Sequence, residues 1–291
     1  MAKKALLIGA AFGALTAGSA LAADVPYVPP PQVFTPPPAP QTVQAHVELY
    51  LGFTSFEYAY DEEDSYSETA FLFGGAGRAN VPFQNGWNLQ IDAQGDALAW
   101  SGGKSDPQFG GYAHLYYRDP ASHALGLFGG ANYWGPQVYT VGVEGQMYWP
   151  QFTLYGQAAL SSVQAFGASA TAVQLRGEGQ WFFTDNIALL GDLMWTHVSA
   201  DGDPADILTV AGTLIHRFDG PISGFVRGRW DHTTAGSFTS DQWSVVGGVR
   251  ISADQAGSTD KSHRRTGPAM DVLPLRLGTC LGICEVVIVQ L

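Results

Sequence analysis

At 291 residues the chain can hold one large domain or two ordinary ones. Only 14% of its residues are charged, against roughly 25% in an ordinary globular chain. With 12% aromatics and 36 glycines, that excludes a coiled coil, a disordered chain and a typical cytosolic enzyme. Lys+Arg 14 against Asp+Glu 26 gives a formal charge of −12, so nothing electrostatic favours a polyphosphate and no nucleic acid is expected as a partner.

The N-terminus carries an export pattern. Lys3 and Lys4 precede an apolar run from Ala5 to Leu15, and Ala20-Leu21-Ala22 fits a small-residue cleavage site. Residues 1–22 are therefore expected to be a signal peptide. Its removal takes both lysines and moves the charge from −12 to −14. Residues 23–45 follow as a Pro-rich arm, with eight of the 17 prolines between 26 and 40. Such density favours extended polyproline II and removes backbone donors, so a periplasmic spacer is expected, not a sheet.

From residue 46 to 252 the pattern has period two. In the stretch 173–181, Val173, Leu175, Gly177, Gly179 and Trp181 share one face, while Gln174, Arg176, Glu178 and Gln180 share the other. Tyr139, Val141, Val143 and Met147 likewise oppose Thr140, Glu144 and Gln146, and Trp243, Val245, Val249 and Ile251 oppose Gln242, Ser244 and Arg250. Alternation at this period means strands with one apolar and one polar face. Prolines mark the breaks, and Pro82, Pro107, Pro120, Pro136, Pro150, Pro204 and Pro221 are read as lying between strands. The strands predicted are 46–58, 68–80, 87–99, 109–118, 123–133, 137–148, 151–162, 171–183, 186–197, 206–218, 222–232 and 241–252. No helical period is long enough for a crossover, so the expectation is an all-β antiparallel up-and-down meander of about twelve strands.

Connections alternate in length. Odd ones are mostly long and polar, as around 60–65 and 200–206; even ones are tight, as at Trp149-Pro150 and Thr184-Asp185. All eight tryptophans are read as sitting at or beside strand ends. Short turns at one end, loops at the other and two aromatic girdles are the plan of a transmembrane barrel.

The signal ending Ala-Leu-Ala-Ala-Asp, the Val/Pro-rich spacer and the Gly/aromatic strands resemble alphaproteobacterial outer-membrane β-barrel proteins of the porin-like surface-antigen type. The resemblance spans roughly 1–252. It implies the outer membrane of a Gram-negative cell, contact with outer-membrane lipid and lipopolysaccharide, and assembly by the barrel-insertion machinery. It departs from the family at the end, because the last strand closes on Val249-Arg250-Ile251-Ser252-Ala253 without a terminal aromatic and a tail follows. That tail, 253–291, is expected in the periplasm, its first half polar and loosely tethered. Cys280 and Cys284 lie in its apolar end; they could form a local disulfide, but they lack the companions of a zinc site.

Charges on the polar face are the candidate lumen-lining residues: Glu144, Arg176, Glu178, Asp192, Arg227, Arg229 and Arg250. In a wet lumen they set ion preference, as charged rings do in pores; in a plugged one they pair with one another. Glu178 and Asp192 are expected within reach of Arg227 and Arg229 across a narrow barrel. The function expected is passive passage of small solutes or ions, or a structural surface role, with no cofactor or metal and no enzymatic activity. Two alternatives are a soluble secreted β-protein and a barrel hydrolase, in which His197 or His232 would act as base on Ser199 or Ser240.

Overall fold

The computed structural model describes residues 42–60, 64–101, 103–165, 168–199, 204–254 and 257–270. The expected signal peptide, nearly all of the Pro-rich arm and the Cys280/Cys284 segment lie outside the described residues.

Twelve antiparallel strands form a closed barrel, each paired with its sequence neighbours and the first with the last. They are β1 (Gln44–Tyr60), β2 (Asp64–Pro82), β3 (Trp87–Trp100), β4 (Ser105–Asp119), β5 (His123–Tyr133) and β6 (Gln137–Trp149). The second half comprises β7 (Phe152–Ala165), β8 (Ala168–Thr184), β9 (Ile187–Ser199), β10 (Ala205–Arg217), β11 (Ile222–Ala235) and β12 (Phe238–Ala253). The seam that closes the wall puts Glu48 opposite Arg250 and Leu49 opposite Val249. Closure leaves no edge, so every strand finds ladder partners on both sides.

The all-β, twelve-stranded meander expected from the alternation is the architecture found. Its strands run further than the hydrophobic pattern does. A belt-spanning strand needs about 9–11 residues, yet β2 has 19 and β1 has 17. The extra length lies at the loop end, where the ladder continues beyond the apolar band and alternation no longer marks it. Two readings change as a result. Trp195, Trp230 and Trp243 lie inside β9, β11 and β12, not at their ends. Pro107 lies inside β4. It is tolerated there because β4 pairs only with β3 at that height: the β5 ladder begins at Phe109 opposite Tyr133.

The faces are inverted relative to a water-soluble protein. Outward positions are large and apolar, among them Leu49, Phe53, Leu125, Val141 and Val245, each more than half exposed. Inward positions carry most of the Gln, Asn, Thr, Ser and charged side chains, nearly all buried, together with buried apolar groups such as Phe56, Leu72, Ile215 and Phe225. Leaving such side chains in water forgoes about 1.5–3 kcal/mol each, so an apolar belt of this extent calls for lipid. Aromatic contacts flank it. Trp149, Phe152 and Trp181 pack together near the tight turns, as do Trp87 and Tyr117. Toward the loops, Phe109 meets Tyr133 and Trp230 stacks on Trp243.

One rung of this second girdle occurs twice. Trp195 Nε1 and His197 Nδ1 both meet the Asp206 carboxylate, at 3.2 and 2.9 Å. Trp230 Nε1 and His232 Nδ1 meet Asp241 at 2.8 and 3.0 Å, with the same spacing in the chain. In each, one aspartate joins an indole and an imidazole on the neighbouring strand.

The turns at the other end are tight. Between β2 and β3 the chain reverses through a single 3-10 turn, Gln84–Gly86, in which Asn85 and Gly86 take φ of 62° and 81°. A side chain at Gly86 would be strained and would press on the Arg118 carbonyl, 2.9 Å from where its Cβ would stand.

One element was not expected. Helix α1 (Asp260–Thr266) begins at Thr259, whose hydroxyl accepts from the Ser262 N–H while Ser262 Oγ accepts from the Thr259 N–H. Among the described residues no helix is long and apolar enough to cross a membrane; α1 is short, polar and docked against the barrel.

Candidate functional site

The barrel interior has three levels. At the loop end, inward positions become apolar: Val138, Val163, Val198, Ile207 and Phe238 form one buried cluster, with Tyr58 and Trp134 against it. In the middle the inward face carries the charges, interspersed with buried apolar residues such as Leu190 and Val246. At the turn end, the segment after β12 enters the mouth.

That segment is anchored at Asp254, whose carboxylate accepts two hydrogen bonds from Arg217, at 2.8 and 3.0 Å, with both side chains buried. Helix α1 then lies against the tight turns. Lys261 donates from its backbone and from Nζ to Asp185, and the Asp260 N–H donates to Asn186. Arg265 donates to the carbonyls of Trp149 and Phe152. His263 faces the wall, its Nε2 3.0 Å from His46 Nδ1 and its Nδ1 3.1 Å from Asp254. Beyond the helix, Arg118 donates to the Gly267 carbonyl at 2.7 Å and Gln146 to Ala269 at 2.7 Å. Met270 is fully buried among Tyr116, Tyr148 and Tyr155. The tail is therefore a plug. The expectation of a loosely tethered segment fails at 257–270, because inward amides, arginines and turn carbonyls supply its backbone with partners that composition alone does not reveal.

Electrostatics in the plug follow from burial. Burial acts to raise the Asp254 carboxyl, but hydrogen bonds from His263 and Arg217 outweigh it and hold the group at about 2. Asp260 also lies below the ordinary range: burial opposes this, while Arg264 and Arg250 dominate. His263 is pulled below its usual value by burial, with Asp254 only partly restoring it.

All seven sequence-predicted lumen residues face inward, but they do not form one ring. Glu144 accepts from His114 and from Tyr155, each at 2.8 Å, on the β4–β7 side. Arg176 spans Glu178 at 2.9 Å and Asp192 at 2.6 Å. Arg229 pairs with Asp231 of its own strand at 2.7 Å. Arg250 holds Glu48 across the seam at 2.5 Å and approaches Asp260 of the plug at 3.5 Å. Arg227 donates to Thr213 and comes within 3.6 Å of Glu48. Glu178 and Asp192, expected within reach of Arg227 and Arg229, are both bonded to Arg176. A rung to the next strand, or a step of two along one strand, is shorter than a crossing of the lumen.

Five of the seven, Glu178, Asp192, Arg227, Arg229 and Arg250, line a polar cavity of about 60 Å³ above the plug. Glu48, Arg78 and Arg264 also line it, and these three escaped sequence reasoning. Glu48 near the start of β1 and Arg78 near the end of β2 both lie toward the turn end of the barrel, where no local pattern marks a charge as a lumen residue. Arg264 had a local signal, since Asp260 and Arg264 are four apart and Arg264 donates to Asp260 at 2.8 Å.

The proposed hydrolase pair has another geometry. His197 and His232 are each bonded to an aspartate. Ser240 is buried and faces the lumen, opposite in the strand alternation to His232, whose ladder neighbour is Asp241.

No family model and no characterised relative matches the sequence. Solved structures do match. An outer membrane channel from Pseudomonas putida F1 is 12% identical with a TM-score of 0.55, over 74% of this chain and 97% of that one. A monoaromatic hydrocarbon channel, CymD, is 9% identical with a TM-score of 0.42, over 72% and 89%. The KdgM porin is 10% identical with a TM-score of 0.39, over 70% and 99%. At such identities the likeness is one of fold, and that fold is the outer-membrane β-barrel.

Proposed function

We propose that the protein resides in the outer membrane of a Gram-negative cell and passes small solutes or ions passively, with its own C-terminal segment closing the periplasmic mouth. The observation that carries this reading is the nature of the closure. The plug is held to the lumen by hydrogen bonds and ion pairs, with Met270 as its main apolar knob, and above it lies a cavity with room for roughly four waters. A closure of polar contacts can be exchanged for water, so the plug can leave without exposing a hydrophobic core. The apolar level at the loop end then acts as a second constriction of the kind that gates by dewetting. Export through the leader at 1–22, lipopolysaccharide around the outer girdle and assembly by the insertion machinery belong to the same proposal. The Ala-Leu-Ala-Ala-Asp leader and Pro-rich spacer support the finer resemblance to surface-antigen porins.

The reading is tested by swelling of liposomes carrying the refolded full chain or a tail-releasing double variant, Gln90→Leu with Asp254→Ala, in small neutral sugars. Passage is expected to be slow in the parent and several-fold faster in the variant. Equal impermeability, with the variant confirmed as folded, would instead leave a structural barrel.

A further inference from the structure

We infer that the cavity above the plug is a binding site for a small oxyanion, and that docking of α1 completes it. The inference rests on the docked tail and not on conduction.

Five guanidinium groups face the cavity, from Arg78, Arg227, Arg229, Arg250 and Arg264. Three carboxylates face it too, and each is already paired with an arginine. Glu48 accepts two bonds from Arg250. Glu178 and Asp192 accept from Arg176, which stands outside the cavity lining. Each of these carboxylates thus has an arginine as counter-ion.

The donors are not all engaged. Arg264 Nη2 is buried and has no hydrogen-bond partner among the described residues. An orphaned charged donor is expensive, and a native structure normally supplies something to receive it. Arg227 uses Nε on Thr213, and its closest carboxylate oxygen, at 3.6 Å, is beyond hydrogen-bond range. Its side chain is 29% exposed, the most open of the ion-paired arginines lining the cavity. One unspent donor set thus comes from the barrel wall and the other from the plug, and both reach the same polar space.

Counting the partners behind the lining, Asp92, Asp231 and Asp260 on one side and Arg176 on the other, the cluster is neutral. Recognition therefore comes from directed N–H groups more than from net potential. Guanidinium forks match oxyanion geometry. Space for roughly four waters suits the four oxygens of a tetrahedral oxyanion. Bound there, the anion bridges β11 to α1 and favours the docked tail by mass action.

The test uses inorganic phosphate with the full chain in detergent micelles at constant ionic strength, reading calorimetric binding together with amide exchange over 257–270. Saturable binding is expected, with tail exchange slowing in step with occupancy. Arg227→Gln, which touches no tail residue and leaves Glu48 with Arg250, should weaken binding at least tenfold. Arg264→Gln should do the same and abolish the tail protection. If Arg264→Gln simply undocks the helix, the Arg227→Gln arm still decides. Absence of saturable binding, or equal affinity in parent and Arg227→Gln, would overturn the inference. Phosphate binding by a barrel that never conducts would sustain it while removing the channel reading.

Discussion

The side chain of Gln90 pairs with both backbone groups of Met270: Nε2 donates to the carbonyl at 2.7 Å and Oε1 accepts from the N–H at 3.1 Å. A primary amide reproduces the donor and acceptor of a peptide, so β3 treats the plug as one more backbone partner from inside the barrel. Replacing Gln90 with Leu keeps bulk and removes both bonds, leaving two buried groups unpaired at about 1–3 kcal/mol each. Amide exchange at 267–270 should rise by an order of magnitude or more, with the barrel intact. Unchanged protection would show that Met270 is held by its tyrosine pocket alone.

The Arg217–Asp254 pair is the hinge of the plug, bidentate and buried on both sides. Asp254→Ala leaves Arg217, among the described residues, with only the Gly220 carbonyl, and removing one partner of such a pair costs about 3–5 kcal/mol. Protease should then cut the tail readily at conditions where the parent resists. A tail as resistant as the parent's would place the anchor elsewhere.

Plug docking should depend on pH in two windows. His263 faces His46, Asp254, Arg250 and Asp260, and burial lowers its pKa in the docked state. The undocked imidazole binds a proton more readily, so its contribution is fully present above about pH 6.5 and is lost as pH falls below that. Asp254, lowered to about 2, acts with the same sign at lower pH. Its contribution is present above the ordinary carboxyl range and fades as pH falls toward 2. Tail exchange measured from pH 8 down should accelerate first below about 6.5. His263→Gln should remove that first step and leave the second. A tail whose protection is flat from pH 8 to 5 would contradict this.

The barrel was legible in the sequence because its rule is local. Outward Val173, Leu175 and Trp181 against inward Gln174, Arg176 and Glu178 declare both strand and face. Partners were less legible. Arg229 chose Asp231, two residues away, and Arg176 took both Glu178 and Asp192. Alternation assigns a face but not a rotamer. The plug was missed for another reason: residues 253–268 are polar, and polar composition reads as solvated unless a polar cavity receives it. A signal was present in Thr259 and Ser262, which form the capping box, and in the Asp260/Arg264 spacing. What no local pattern conveys is that Gln90, Arg118 and Gln146, spread over β3, β4 and β6, converge on one stretch of four residues.

The central claim is that the tail is a removable closure. Single-channel recording in planar bilayers compares the full chain with a chain ending at Ala253, both shown to be folded by heat-dependent mobility in gels. At pH 7.5 the full chain should be silent or open only briefly, and the shortened barrel should give resolved, sustained steps. A folded, shortened barrel as silent as the full chain, or a full chain that conducts equally well, would contradict the account.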